Sequence, residues 1–237
     1  GIPADAGFTT VNKMCGSGMK ATMQGHDALL AGSSNIVVAG GMESMSNTPY
    51  VMTKARGGFR MGHGQVYDHM FIDGLEDAYD KGKLMGNYAE DTATHYQFTR
   101  EQQDAFAIES LTRAKKAIED GTFAGEVVPV TFSTRKGEVT VDKDEQPLKA
   151  NLEKIPLLKP AFVKDGTVTP ANSSSISDGG AALVMMRRSE AEKQGLKPLA
   201  LIHAHSTHAQ APEWFTTAPI DAIRKVLERA GWDKDDV

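Results

Sequence analysis

Apolar residues recur at helical spacing in three parts of the chain and predict three amphipathic helices. The first is predicted to begin at Ser17 or Gly18, the second at Thr99 and the third at Pro219. Their apolar positions are Met19, Met23, His26 and Leu30, then Ala107, Leu111, Ala114 and Ile118, then Ile223, Val226, Leu227 and Ala230. Gly32, Gly121 and Gly231 follow them as C-terminal stop signals. Thr99 and Gln102 resemble a capping box, and further helices are predicted over residues 85–97 and 189–194.

Short apolar runs between these helices predict strands. Residues 35–39 form a β-branched run that ends in Gly40 and Gly41, which favours a buried parallel strand. Residues 181–186 are continuously apolar and predict another buried strand, after a stretch of small residues (172–180) typical of an active-site loop. Further strands are predicted over 126–132, 138–141 and 199–205. Residues 143–160 are charged and contain proline, so we expect a surface loop there. The order of helices and strands indicates an α/β fold.

The composition of the chain excludes several classes of function. The chain has 237 residues, 40% of them apolar and 24% charged, and a net charge of −5, so nucleic-acid binding is not expected. No apolar run approaches membrane-spanning length, and membrane partners are not expected either. A single cysteine precludes an intrachain disulfide and is compatible with a reducing compartment, so we predict a cytoplasmic location. The chain opens on Gly1 rather than Met, and we expect the native N-terminus to lie upstream.

Cys15 is the only cysteine, and it lies where an apolar segment gives way to a helix. A helix N-terminus presents unpaired N–H groups and a positive dipole end, which stabilise a thiolate. Gly16 and Gly18 allow a tight turn, and backbone N–H groups there would face a developing oxyanion. The residues alone leave two alternatives open for Cys15: a nucleophile, or a small apolar residue of the core.

Six segments resemble the thiolase family, in the family's order and across the chain. They are residues 12–21 (NKMCGSGMKA), 39–46 (AGGMESMS), 84–90 (LMGNYAE), 100–107 (REQQDAFA), 167–174 (TVTPANSS) and 177–182 (SDGGAA). The resemblance implies a layered αβαβα sandwich of two similar halves, incomplete here, with an inserted loop domain that binds coenzyme A. It assigns residues 1–45 and 173–188 to the first half, 46–172 to the inserted domain and 189–237 to the start of the second half.

The resemblance also implies an acyltransferase. Thiolases join two acetyl-CoA molecules, or cleave a 3-ketoacyl-CoA with coenzyme A, through an acyl-cysteine intermediate, and Cys15 matches the family's nucleophile. The family's activating histidine, second cysteine and oxyanion-hole asparagine come from later motifs (Gly-His-Pro and Asn-Glu-Ala-Phe among them) that this sequence does not contain. We therefore expect the chain to be a fragment that lacks turnover alone. The longer protein is expected to be a homodimer or homotetramer, with its dimer interface near Val37.

Four residues match family positions that contact coenzyme A or the acyl group: Leu75, Met85, Ser174 and Phe215. Packing in the core is the alternative for Leu75, Met85 and Phe215. Two departures weaken the match, because Leu84 stands where short-chain members often have a histidine and Leu148 where an arginine often approaches the nucleotide. Lys149 is a candidate replacement for that cation. No cofactor beyond coenzyme A thioesters as substrates, and no metal, is expected.

Several alternatives stay open beside this interpretation. A degradative 3-ketoacyl-CoA thiolase for longer chains is one, although residues 73–77 (DGLED) look more like the acetyl-transferring members. A truncated, inactive scaffold is another, and a phosphate-cradling turn at residues 15–18 is a third. His203 and His205 would point to one face of a strand and, with His208, form a weak metal candidate. His63 and His69, in a glycine-rich loop, are expected at the surface.

Overall fold

The computed structural model describes the whole chain, residues 1–237, and divides it into two compact units. Unit 1 comprises Gly1–Lys83 and Ile176–Val237, and unit 2 comprises Leu84–Ser175. Residues 46–83 thus lie in unit 1, while the predicted division at residues 45, 172 and 188 stays a prediction. No helix is both long enough and apolar enough to cross a membrane.

The chain contains six α-helices and six strands. The α-helices are α1 (Ser17–Leu30), α2 (Met85–Tyr96), α3 (Arg100–Glu119), α4 (Glu145–Lys149), α5 (Arg188–Lys193) and α6 (Ala218–Ala230). The strands are β1 (Ile36–Ser44), β2 (Tyr50–Val51), β3 (Tyr67–Asp68), β4 (Val130–Thr134), β5 (Gly137–Val141) and β6 (Asp178–Met186). Shorter 3₁₀ segments include Leu152–Leu157 and Pro212–Thr217.

The helix boundaries confirm the local signals in the sequence. In α3 the Oγ1 of Thr99 accepts a hydrogen bond from the N–H of Gln102, and the Oε1 of Gln102 accepts one from the N–H of Thr99. This is the predicted capping box. Gly121 and Gly231 both take a left-handed φ just past α3 and α6. These signals act within one helical turn, so the sequence alone is enough to set them.

The strands pair only in antiparallel two-stranded sheets: β1 with β6, β2 with β3, and β4 with β5. The prediction of a parallel strand over residues 35–39 is therefore wrong for this structure. That strand is also longer than predicted, because β1 continues through Gly40 and Gly41 to Ser44. A β-carbon on Gly40 would lie 2.1 Å from the carbonyl O of Ala181, so glycine is what lets β6 approach this part of β1.

Helix α1 packs on one face of the β1–β6 sheet. Leu29, Ala39 and Met185 are its buried residues, with Ala21 and Val37 packed beside them. The opposite face is exposed, since Val38 and its cross-strand partner Val184 are 48% and 68% exposed. The prediction that both strands are buried is thus wrong for this face, while Ala39 and Met185 on the other face are buried. An apolar run shows that a strand suits burial, whereas its actual burial depends on the elements that cover each face.

Three further expectations need correction. Residues 199–205 form no strand, and residues 126–129 lie outside β4. Residues 143–160 are not a plain surface loop, since they contain α4 and a 3₁₀ segment and bury Ile155 to 3% exposure. The predicted core face of α6 is only half-buried at Val226 and Leu227, and Ile223 is 56% exposed.

Candidate active site

Cys15 lies at the end of a tight turn that leads directly into α1. The Oδ1 of Asn12 accepts from the N–H of Met14 at 2.9 Å. The Oγ of Ser17 accepts from the N–H of Lys13 and donates to the carbonyl O of Met14, at 2.9 and 2.7 Å. Met14 takes a φ of 50°, in the left-handed region, at a cost of roughly 1–2 kcal/mol. The residue before the thiol is therefore held in a conformation that only its surroundings make favourable.

The thiol of Cys15 is free and exposed, so the alternative of a buried core residue does not describe this chain. Gly16 is the N-terminal cap of α1 and has no side chain to occupy the helix end. The N–H groups of Gly16 and Ser17 donate within the turn, to the carbonyls of Lys13 and Met14. Those two donors are thus already used, and an oxyanion next to the sulfur would have to use others.

The first turn of α1 lies against the middle of β1. A β-carbon on Gly41 would lie 3.2 Å from the Cα of Gly18 and 3.4 Å from its N. One on Gly18 would lie 3.5 Å from the N of Gly41. Glycines at both positions let helix and strand approach backbone to backbone, and they fix the turn that carries Cys15 relative to the sheet.

The ends of β1 and β6 are joined by a carboxylate. Asp178 accepts from the N–H of Ser46 at 2.9 Å and from its hydroxyl at 2.7 Å. These two bonds hold the pKa of Asp178 below its ordinary value of 3.8, and the bond from the hydroxyl has the larger effect. The pairing connects residues 132 positions apart, which places the start of β6 beside the segment that follows β1.

In unit 2 a buried glutamate holds the segment that leads to Ser174. Glu90 is 7% exposed, and its carboxylate accepts from the N–H of Thr167, the hydroxyl of Thr167 and the N–H of Val168. A carboxylate buried with three donors has its charge compensated by hydrogen bonds. Gly166 leaves the necessary room, since a β-carbon there would lie 2.3 Å from Oε1 of Glu90.

A second polar network fixes the same segment to α3. The Nε of Arg100 donates to Asp104 at 2.7 Å, and its terminal nitrogen donates to the carbonyls of Ile155 and Leu158. Asp104 in turn accepts from the Nδ2 of Asn172 at 3.2 Å. The backbone that carries Ser174 is thus attached at both Thr167 and Asn172, and Ser174 itself stays exposed.

Ser174 lines an open cavity of about 1090 Å³ in unit 2. Apolar rings and aliphatic side chains form much of its wall, and two lysines contribute cations. The lining includes Phe98, Phe106, Leu158, Lys149 and Lys154. Lys149, the candidate replacement for a family arginine, forms an ion pair with Glu145 on the same short helix. Met85 is not among the lining residues, so the structure does not bring it to this cavity.

Met85 is the first residue of α2 and is half-buried. The N–H of Leu84, just before it, donates to the Oδ1 of Asn87 at 2.9 Å, which fixes the start of the helix. Asn87 also donates to the carbonyl of Phe162, and the Phe162 ring lies where a side chain on Gly86 would be, 2.3 Å from a β-carbon built there. Sequence reasoning missed Phe162, because no spacing signal connects it to α2.

Leu75 and Phe215 both lie in unit 1, in short segments. Leu75 ends a single π-turn over Phe71–Leu75 and is half-buried, and Phe215 lies in the 3₁₀ segment Pro212–Thr217 and is 41% exposed. Neither is a fully buried core residue. The assignment of Leu75, Met85, Ser174 and Phe215 to coenzyme A contacts stays a prediction.

The histidines do not group as their sequence spacing suggested. Because residues 199–205 form no strand, the argument that His203 and His205 share a face does not apply. The His203 ring lies beside Trp232, at 5.1 Å between centroids, while His208 pairs with Asp221 at 3.5 Å. His205 instead contacts Asp27, next to His26 on α1. His69 is partly exposed and pairs with Asp73.

Comparison with known proteins places this fold and its cysteine turn in a family. The family described as "Thiolase, N-terminal domain" matches residues 1–189, and the chain belongs to the thiolase family. A solved structure, acetyl-CoA acetyltransferase from Syntrophomonas wolfei, superposes with a TM-score of 0.93 at 41% identity, covering 100% of this chain and 59% of that one. The α/β thiolase-like fold is thereby confirmed.

Sequence relatives agree with the structural ones. A probable acetyl-CoA acetyltransferase of Dictyostelium discoideum is 48% identical over 94% of this chain and 54% of its own length. A mitochondrial acetyl-CoA acetyltransferase of Mus musculus is 45% identical over 100% of this chain and 56% of its own length. The chain therefore spans little more than half the length of these relatives.

Proposed function

We propose that this chain supplies the nucleophile and part of the coenzyme A site of a thiolase-type acyltransferase. The observation that carries the proposal is the exposed thiol of Cys15, in a strained turn at the N-terminus of α1. Relatives 43–48% identical are named acetyl-CoA acetyltransferase, which supports acetyl-CoA as the substrate. We favour acetyl transfer over action on longer 3-ketoacyl chains for that reason.

In the proposed reaction the Cys15 thiolate attacks the carbonyl carbon of acetyl-CoA. The bond from that carbon to the coenzyme A sulfur breaks, coenzyme A leaves and takes up a proton, and Cys15 holds an acetyl thioester. A second acetyl-CoA then loses its α-proton to a base, and its carbanion attacks the thioester. Acetoacetyl-CoA forms and the Cys15 thiolate leaves. Thiolysis is the same sequence reversed.

The second step needs groups that this chain does not hold. The α-proton must be taken up by a base placed beside the acyl-cysteine, and the family uses a second cysteine for it, whereas the chain has one cysteine. We propose accordingly that the chain alone performs at most the first half-reaction. Full turnover belongs to a longer protein, for which a homodimer or homotetramer and a cytoplasmic location stay predictions.

Mass spectrometry of the chain after incubation with acetyl-CoA tests the proposal. The expected result is one acetyl group, located on Cys15 by peptide mapping and removed by added coenzyme A. Cys15→Ser should show none, and acetoacetyl-CoA with coenzyme A should not be consumed. Acetylation spread over lysines and equal in Cys15→Ser would contradict Cys15 as the acyl acceptor. Steady consumption of acetoacetyl-CoA would contradict the limit to a half-reaction.

A further inference from the structure

Three metal-ligating side chains meet on unit 1, away from the Cys15 turn. They are His26 and Asp27, in the last turns of α1, and His205, which is 178 residues further along the chain. One ligand atom from each lies within 4.8 Å of the others. The fold, rather than sequence spacing, brings them together.

The contacts within this group centre on one carboxylate oxygen. Oδ1 of Asp27 lies 2.7 Å from Nε2 of His205 and 3.4 Å from Nδ1 of His26. The two imidazole rings meet edge to face, with 5.3 Å between centroids. Tetrahedral coordination with metal–ligand bonds of about 2.0–2.1 Å places neighbouring ligand atoms about 3.3 Å apart. Small side-chain rotations are therefore enough to make room for an ion among the three atoms.

From this geometry we infer that His26, Asp27 and His205 form a binding site for a divalent ion of the zinc type. Two imidazoles and one carboxylate are the donor set that Zn²⁺ and its first-row neighbours prefer, whereas Mg²⁺ and Ca²⁺ prefer all-oxygen sites. The ion takes the place of the protons that Nε2 of His205 and Nδ1 of His26 share with Asp27. Each proton is released to solvent or moves to the other nitrogen of the same ring.

Burial around the three residues suits such a site. The side chains of His26 and His205 are 17% and 24% exposed, while that of Asp27 is 58% exposed. The two rings are thus held by surrounding atoms, and the carboxylate side is open for one or more water ligands. A guanidinium nitrogen of Arg229 donates to the carbonyl O of His205 at 2.7 Å, which fixes the backbone at the distant ligand.

The bound ion would connect α1 to the segment that carries His205. Residues 200–211 form no helix or strand. A ligand that binds the folded chain and not the unfolded one stabilises it in proportion to the logarithm of its concentration. The site therefore predicts that zinc raises the midpoint of thermal unfolding and protects this segment from proteolysis. Neither readout depends on acyl transfer, so the inference stands apart from the proposed function.

Zinc titration of the full 237-residue chain, by calorimetry in a non-chelating buffer at neutral pH, tests the inference. The expected result is binding of one Zn²⁺ per chain. His26→Gln, His205→Gln and Asp27→Asn should each weaken it about tenfold or more, because losing a ligand costs at least as much as losing an outer partner. Co²⁺ should bind in the same place and give visible absorption bands, whereas Mg²⁺ should not compete.

Other histidines of the chain provide matched controls. His208→Gln removes a histidine that also pairs with one aspartate, and His69→Gln removes the partner of Asp73. Both variants should bind Zn²⁺ as the parent chain does. Equal weakening in the control and site variants would show general histidine binding and overturn the inference. Unchanged affinity in His205→Gln, or no binding by the parent chain, would overturn it as well.

Discussion

A β-carbon built on Gly41 lies 3.2 Å from the Cα of Gly18, so β1 and the first turn of α1 are in backbone contact. The same strand meets β6 even more closely at Gly40, where a β-carbon would lie 2.1 Å from the carbonyl O of Ala181. The segment 39–46, which resembles a thiolase motif, thus has a packing role: it lets the sheet and the cysteine turn come together.

Gly40→Ala should lower stability more than Gly41→Ala does. At Gly40 the added methyl meets a backbone atom that cannot move without breaking the strand pairing, whereas at Gly41 a shift of a few tenths of an ångström suffices. Overpacking of this kind costs about 1–3 kcal/mol or more. Urea unfolding followed by circular dichroism measures the order. Gly74→Ala is the control, because nothing lies within 4 Å of a β-carbon there. An equal effect at Gly74 would contradict the steric explanation.

Glu90→Gln should destabilise unit 2 by about 2–4 kcal/mol. The amide of glutamine keeps one acceptor oxygen, and because the N–H of Thr167 bonds both carboxylate oxygens, the NH₂ group would face that N–H in either orientation of the amide. Each hydrogen bond to a charged group contributes about 1.5–3 kcal/mol. Hydrogen exchange at Thr167 and Val168 should rise with it. The matched control is Glu109→Gln, whose ion pair with Arg113 is at the surface and contributes little. Similar losses in both variants would contradict a special role for Glu90.

The contact between Ser46 and Asp178 should make the free energy of unfolding fall at acidic pH. Because the folded-state pKa of Asp178 lies below its ordinary value of 3.8, the contact stabilises the fold above that value. The stabilisation is lost as the pH falls through the lowered pKa. Ser46→Ala should return the pKa of Asp178 toward 3.8 in a carboxyl NMR titration. Ser44→Ala, in the same strand end, should leave it in place. If the pKa of Asp178 in Ser46→Ala stays as low as in the parent chain, a group other than Ser46 sets it.

Cys15 should react with iodoacetamide in the folded chain, giving one adduct. The thiol is exposed and the chain holds no other cysteine, so a single mass increase reports on it alone. The labelling rate in buffer should be at least that in denaturant. Cys15→Ser should give no adduct under the same conditions. Much slower labelling of Cys15 in the native chain than in denaturant would indicate a core residue instead.

Local signals were enough to predict much of this structure. The capping box of α3 at Thr99 and Gln102, and the stop at Gly121, depend on neighbours three or four residues away and were correct. Local signals did not predict the direction and burial of strands, which depend on strand pairing. The run at residues 35–39 was predicted to be parallel and buried, yet its partner β6 is antiparallel and one face is exposed. A strand's own residues do not encode the direction of its partner.

The features of the site also divide into those that local sequence sets and those that distant contacts set. The sequence by itself determined the turn at Cys15, the helix that follows it and, by resemblance, the thiolase family, because a short motif and its helix start need no distant contact. Only the tertiary structure decided that Asp178 is bonded to Ser46, that Glu90 holds Thr167, and that His205 lies beside Asp27 rather than acting with His203. Each of these contacts spans more than 70 residues. They exist because packing of the sheet and helices brings distant segments within hydrogen-bonding range.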